Sequence, residues 1–221
     1  MRRFITIVDG VGVALAAALS AALFLRVART FSILDPLSAL CGLAFGFFAA
    51  DAASGLVHWL CDTYFDPRTP LLGTILIAPF REHHADPGAL ARHGFLERNG
   101  NNCWAGSLLL LNAVSLLEPG AVDHRAGVLA ASFFAAAALT VCAANQIHAW
   151  AHGARAPRAV RALQRARILI TLECHARHHR GDRAYAVVSG WSNGLLDRGL
   201  AWVEMLLGAF GVRPTGSGAK T

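Results

Sequence analysis

Four stretches nearly free of charge set what this chain can fold into: Gly10–Leu25, Pro36–Cys61 with Asp51 inside it, Asn99–Leu117, and Ala126–His152. A lipid-embedded segment must satisfy every backbone N–H and C=O internally, so an apolar run of about 20 residues crosses the bilayer as a helix. The last run has that length outright. The first reaches it if Phe4–Val8 join across Asp9, and the second if it tolerates Asp51. The third is marginal because its apolar part begins near Trp104, a shortfall that bilayer thinning or snorkelling flanks can absorb. The expected fold is therefore all-α: a polytopic membrane bundle of about four spans. A composition 55% hydrophobic and 15% charged agrees, since the apolar residues come in runs and not in the stripes of a soluble protein.

The 221 residues fit one domain, 1–221. Met1-Arg2-Arg3 before an Ala/Leu run also resembles a signal peptide. We read it as a retained first span; cleavage would leave the second span entering from the same side. The tail Pro214–Thr221 reads as disordered.

Basic residues orient the bundle. With the N-terminus inside, seventeen Lys and Arg fall on inside segments and only Arg26, Arg29 and Arg125 on outside loops. This positive-inside bias places both termini in the cytoplasm, as for a protein of a bacterial inner membrane or an endoplasmic reticulum equivalent. The formal charge of +6 is thus mainly a topology signal. No nucleic-acid partner is expected, because no soluble domain interleaves aromatic with basic residues. Five scattered cysteines, odd in number and without a CxxC pair, read as reduced thiols.

Between the second and third spans, Asp62–Asn99 is dense in charge and histidine. Within it Leu71–Phe80 is apolar but too short to span, which suits an interfacial or re-entrant piece. After the fourth span, Arg155, Arg158, Arg161 and Arg165 recur at helical spacing with Val160 and Leu163 between them. An amphipathic helix on an anionic membrane surface and a solvated basic linker helix both fit.

Nine of the ten histidines fall on the inside face: His58, His83, His84, His93, His148, His152, His175, His178 and His179. Only His124 faces out. His148 and His152 are i,i+4 on a helix, so both imidazoles lie on one face. In HARHH, His178 and His179 follow His175 by three and four residues, and one turn can serve two metals. Asp51, Gly55, His58 and Asp62 share one face of the second span. An intramembrane carboxylate is costly unless paired, so Asp51 is a candidate to orient His58, and Asp62 is a second. HxxxH alone is common by accident, and a lone helical histidine is more often structural than a ligand. The combination at one membrane face points to metal. HExxH is absent, which disfavours a zincin, and Glu-x-x-His is absent, which disfavours a ferritin-like carboxylate site. Nine imidazoles exceed the needs of one catalytic zinc, whereas two irons fit, and iron activates O2 against unactivated C–H bonds.

At SGLVHWLCDTY, PFREHHADP, RHGFLERNGNN, HAWAH, LECHARHH and YAVVSGWSN the chain resembles the plasmanylethanolamine desaturase family, the CarF-like membrane lipid desaturases related to plant phosphatidylglycerol palmitoyl desaturases. The similarity runs from about Asp51 to Pro214. It implies an O2-dependent di-iron enzyme that removes two hydrogens between carbons 1 and 2 of the sn-1 alkyl chain of an ether phospholipid, forming a plasmalogen. The family's motif histidines fall on the nine positions above. Electrons would come from a cytochrome b5 or ferredoxin partner, because the chain has no flavin or nicotinamide fingerprint and no iron–sulfur cysteines.

Arg81, Arg92 and Arg177 lie near the histidines and are candidates to pair with the substrate phosphate, or serve only the positive-inside bias. An acyl-phospholipid desaturase or hydroxylase with the same metal site remains an alternative. A membrane haem protein ligated by His58 and His148 leaves seven clustered histidines without a role, and a non-catalytic metal-binding protein predicts metal without a lipid product.

Overall fold

Helices account for all the regular structure among the described residues, 2–30, 35–117 and 123–216 of a computed structural model. In chain order they are α1 (Arg2–Thr30), α2 (Pro36–Thr63), a π-helical turn (Gly73–Ile77) leading into α3 (Ala78–Ala85), α4 (Ala89–Arg92), α5 (Phe95–Leu116), α6 (His124–Ala151), α7 (Arg158–Arg165), α8 (Leu172–His179) and α9 (Asn193–Ala209). Three of them are long and apolar enough to cross a membrane: Ile5–Arg29 of α1, Pro36–Thr63, and His124–Ala151. The fourth expected span, α5, is a 22-residue helix that falls short of this standard. Its first turns read Glu97-Arg98-Asn99 and Asn101-Asn102, so only the part after Trp104 is lipid-like.

The chain forms two compact units, and the division falls inside α2 and α6. One unit comprises Met1–Ala50 and Gly94–Gln146. Here α1 pairs with α5, and α2 with α6, at points where small residues let backbones meet. A Cβ on Gly100 would lie 2.3 Å from Asp9 Cβ, and one on Gly46 would lie 2.1 Å from the Phe133 carbonyl oxygen. Around these crossings Ala16, Leu23, Cys103, Leu110, Ala113 and Ala138 form the core. His124 also belongs here and donates to Asp35 Oδ2 at 2.5 Å, tying the start of α6 to the residue before α2.

The other unit comprises Asp51–His93 and Ile147–Thr221. Its small core is Trp59, Tyr185 and Leu200, with Leu60, Tyr64 and Leu196 packed against it. The apolar segment Leu71–Phe80 becomes the π-turn and the start of α3, with Leu71 81% exposed and Ile77 fully buried. Gly73 is required there, since a Cβ would lie 2.0 Å from the Pro67 carbonyl oxygen. The tail expected to be disordered is described only as far as residue 216, where the N–H groups of Thr215 and Gly216 donate to the Thr63 carbonyl; residues 217–221 lie outside the described residues. All five cysteines are unpaired.

Candidate metal centre

The second unit contains every histidine that converges. The last turns of α2 carry His58 and Asp62, α3 carries His83 and His84, the end of α6 carries His148 with His152 one turn on, and α8 carries His175, His178 and His179. Helix α8 is short and capped by Thr171, whose Oγ1 accepts from the Cys174 N–H at 3.1 Å. Its i,i+3,i+4 spacing then turns all three imidazoles to one side.

Two groups of donors form, joined by a third. The first is His83, His148, His152 and His175. Within it the Nε2 atoms of His148, His152 and His175 make a closed triangle with sides of 2.8, 2.9 and 3.1 Å. Protons cannot account for this triangle, because one N–H points along one direction and cannot serve two partners. With metal–nitrogen bonds of about 2.0–2.1 Å, donors at right angles sit about 3 Å apart and donors at the tetrahedral angle about 3.4 Å. The observed sides are short enough for the three nitrogens to share one cation.

The second group is His58, Asp62, His84 and His178. Asp62 Oδ2 lies 2.7 Å from His84 Nε2, 3.2 Å from His58 Nε2 and 3.4 Å from His178 Nε2. Although His58 Nε2 is that close, it makes no aligned hydrogen bond, and neither does Asp62 Oδ1 or His83 Nε2; all three atoms are buried. Buried polar atoms left without a partner are costly unless an ion completes them. The third group, His83, His84 and His179, takes one member from each of the others, and His179 Nε2 lies 3.1 Å from His175 Nε2. The donor set, all imidazole nitrogen with one carboxylate, fits metal ions at both groups.

An irregular strap, Arg183–Ser192, prepares these ligands. His58 Nδ1 donates to the Tyr185 carbonyl at 2.8 Å and His178 Nδ1 to the Arg183 carbonyl at 2.7 Å. A proton held on Nδ1 leaves Nε2 as a bare lone pair, the usual way that an outer partner fixes a ligating histidine. The strap's own N–H groups find side chains in place of a neighbouring strand. Ala184 donates to Asp197, Ala186 to Asn193, Val187 to Ser54, and Ser189, Gly190 and Ser192 to Asp51. Buried backbone outside helices needs its N–H groups satisfied in this way. Glu204 clamps the strap's start, accepting from Trp59 Nε1 at 2.7 Å and from Arg183 Nη2 at 2.6 Å.

Burial favours the neutral form of five imidazoles outside the spans. It pushes His83 and His175 well down, His152 and His178 to about 4, and His179 to about 3, with neighbouring imidazoles adding to the effect. Neutral rings are the form that binds metal.

Several residues take places other than those expected. Asp51 does not meet His58. Its carboxylate accepts from the strap and from Ser192 Oγ at 2.7 Å, at the N-terminal end of α9, where the helix dipole favours an anion. Asp62, expected to orient a ligand, stands among the donors themselves. His93 is exposed at the end of α4 and belongs to none of the three groups. Arg81 caps α2 by donating to the carbonyls of Cys61 and Phe65, while Arg92 pairs with Asp86 and Arg177 with Asp182 at 2.8 Å. No spacing in the sequence points to the carbonyls of Arg183 and Tyr185; the motif YAVVSGWSN is the one signal in this segment.

The protein is thus an all-helical membrane protein with a buried, imidazole-rich centre whose residues could hold metal ions. It belongs to the lipid desaturase domain family, whose model matches residues 47–216. It is 39% identical over 156 residues to a plasmanylethanolamine desaturase of Myxococcus xanthus, an alignment covering 70% of this chain and 54% of that one. It is 35% identical over 157 residues to plasmanylethanolamine desaturase 1 of Mus musculus, covering 69% and 58%. It is also 35% identical over 183 residues to the chloroplastic fatty acid desaturase 4 of Arabidopsis thaliana, covering 80% and 54%. The chain therefore spans little more than half the length of these relatives. No solved structure matches it.

Proposed function

We propose that this protein is an O2-dependent lipid desaturase that uses two irons to place the vinyl-ether double bond in the sn-1 alkyl chain of plasmanylethanolamine. The observation that carries the reading is the pair of joined donor groups, His83/His148/His152/His175 and His58/Asp62/His84/His178. Iron bound there supplies O2 activation, which no side chain can perform. The balance is an alkyl ether plus O2, two electrons and two protons giving a vinyl ether and two waters. The two electrons come from a cytochrome b5 or ferredoxin-type donor. Helix α8 and the strap keep the ligating nitrogens bare, and burial of His58, His148, His175 and His178 keeps bulk water from them. The positive-inside bias supports a cytoplasmic site with both termini on the same side.

A second reading, desaturation or hydroxylation of an acyl phospholipid, has the resemblance to the Arabidopsis desaturase in its favour. The ether reading has the higher identity of the Myxococcus relative. Lipid mass spectrometry decides between them, using plasmalogen-free cells that express this chain with a competent donor and are fed a 1-O-alkyl ethanolamine phospholipid. The expected result is an acid-labile product lighter by two hydrogens, absent with His178→Ala. Product from acyl substrate alone would overturn the ether assignment.

A further inference from the structure

Helix α8 has a second side. Opposite the histidines a cleft of about 430 Å³ lies within the second unit, lined among others by Arg165, Arg167, Glu173, Arg177, Ser189 and Trp191. The charges in it are not matched to one another. Arg177 is engaged with Asp182, although Glu173 stands one turn before it on α8. Neither Glu173 nor the guanidinium groups of Arg165 and Arg167 have an ion pair or hydrogen bond among the described residues.

The backbone at Arg167 points the same way. Its φ of 57° is left-handed, a conformation that follows many helices but is usually given to glycine. A Cβ is disfavoured in that conformation. The Trp191 indole N–H holds the turn by donating to the Arg167 carbonyl at 2.7 Å. What arginine adds over glycine at this position is a cation at the cleft.

The rim is lipid-like. Helix α7 buries none of its residues, and Leu163, Ile168, Leu172 and Trp191 are exposed around the charged lining. Exposed apolar side chains beside an exposed tryptophan and arginines form the pattern of a membrane–water boundary. We propose that this cleft is a headgroup site for a zwitterionic phospholipid, with its phosphate held by Arg165 and Arg167 and its ammonium by Glu173. Guanidinium groups suit phosphate oxygens because their donors match them in pairs. The source of the headgroup is either the substrate or a lipid of the surrounding bilayer.

The test uses the full-length chain, delipidated in detergent and offered phosphatidylethanolamine and phosphatidylglycerol at equal concentration, with retained lipid read by native mass spectrometry. Phosphatidylethanolamine should be retained preferentially. Arg167→Gly, which suits the left-handed turn, should leave the thermal midpoint unlowered and reduce retention about tenfold, the effect of losing one charge-assisted contact. Glu173→Gln should bring the two lipids to parity. Equal retention by the unaltered chain, or Arg167→Gly retaining lipid as before, would overturn the proposal. Turnover then identifies the source. A rise in KM for the ether lipid with unchanged kcat marks the substrate's own headgroup, whereas unchanged KM with lost retention marks a bilayer lipid. Because retention is read without turnover, failure of the desaturase reading leaves this test intact.

Discussion

Asp62 is the single carboxylate among eight histidines in the donor groups, and it touches three of them. Asp62→Asn keeps the shape and removes the negative charge. On the two-iron proposal, metal content should fall from about two ions per chain to about one, and product formation by at least the 10–100-fold typical of changes around a metal site. Elemental analysis by mass spectrometry checks the first expectation, and retention of both ions would remove Asp62 from the ligand set. His93→Ala should leave metal content unchanged, because that side chain stands apart from the groups. The convergence of His148 with His152 and of the three histidines on α8 was legible from their spacing, since i,i+3 and i,i+4 neighbours meet within one helix. His93 is close in sequence to His83 and His84 and lies in a motif shared with the family, yet it joins none of the three groups. The chain turns at Asp86–Gly88, and closeness in sequence then carries no information about direction.

One face of α2 organises the strap. Read along the helix, Asp51 holds residues 189–192, Ser54 holds Val187, Gly55 lets Ala186 approach, and His58 meets Tyr185. The face itself was legible from the spacing of Asp51, Gly55, His58 and Asp62. Its partner was not, because an irregular segment more than a hundred residues away has no period by which to announce itself. A Cβ on Gly55 would lie 2.7 Å from Leu196 Cδ1 and 3.0 Å from the Ala186 nitrogen. Gly55→Val should therefore cost about 1–3 kcal/mol through overpacking and shift the strap. Asp51→Ala should cost more, since it strands several buried donors at about 1–3 kcal/mol each. Thermal unfolding in detergent measures both, and an unchanged midpoint for Asp51→Ala would dismiss its role as the strap's anchor.

On the scale of the molecule, the spans were legible wherever an apolar run was unbroken. The count blurred at α5, where polar residues at the helix start leave too little lipid-like length. The neutral histidines have a consequence for the whole metal-free fold. The unfolded chain takes up protons near 6.5, whereas His152 and His178 resist them until about 4 and His179 until about 3. The unfolded state therefore binds more protons in that window, so stability is full above about pH 6.5 and drains away as pH falls toward 4. The thermal midpoint of the metal-free protein should decline steadily over this range, and a flat profile would contradict the burial of these rings.

The strap also imposes an order in time. During synthesis, residues 58, 83, 84, 148 and 152 leave the ribosome first, yet the carbonyl that orients His58 belongs to residue 185 and the clamp that steadies the strap belongs to residue 204. The orientation of His58 must therefore wait for residues made after α6. Completion of the centre is consequently a late event that follows the docking of α9, and a chain ending before the strap would insert normally while remaining unable to mature.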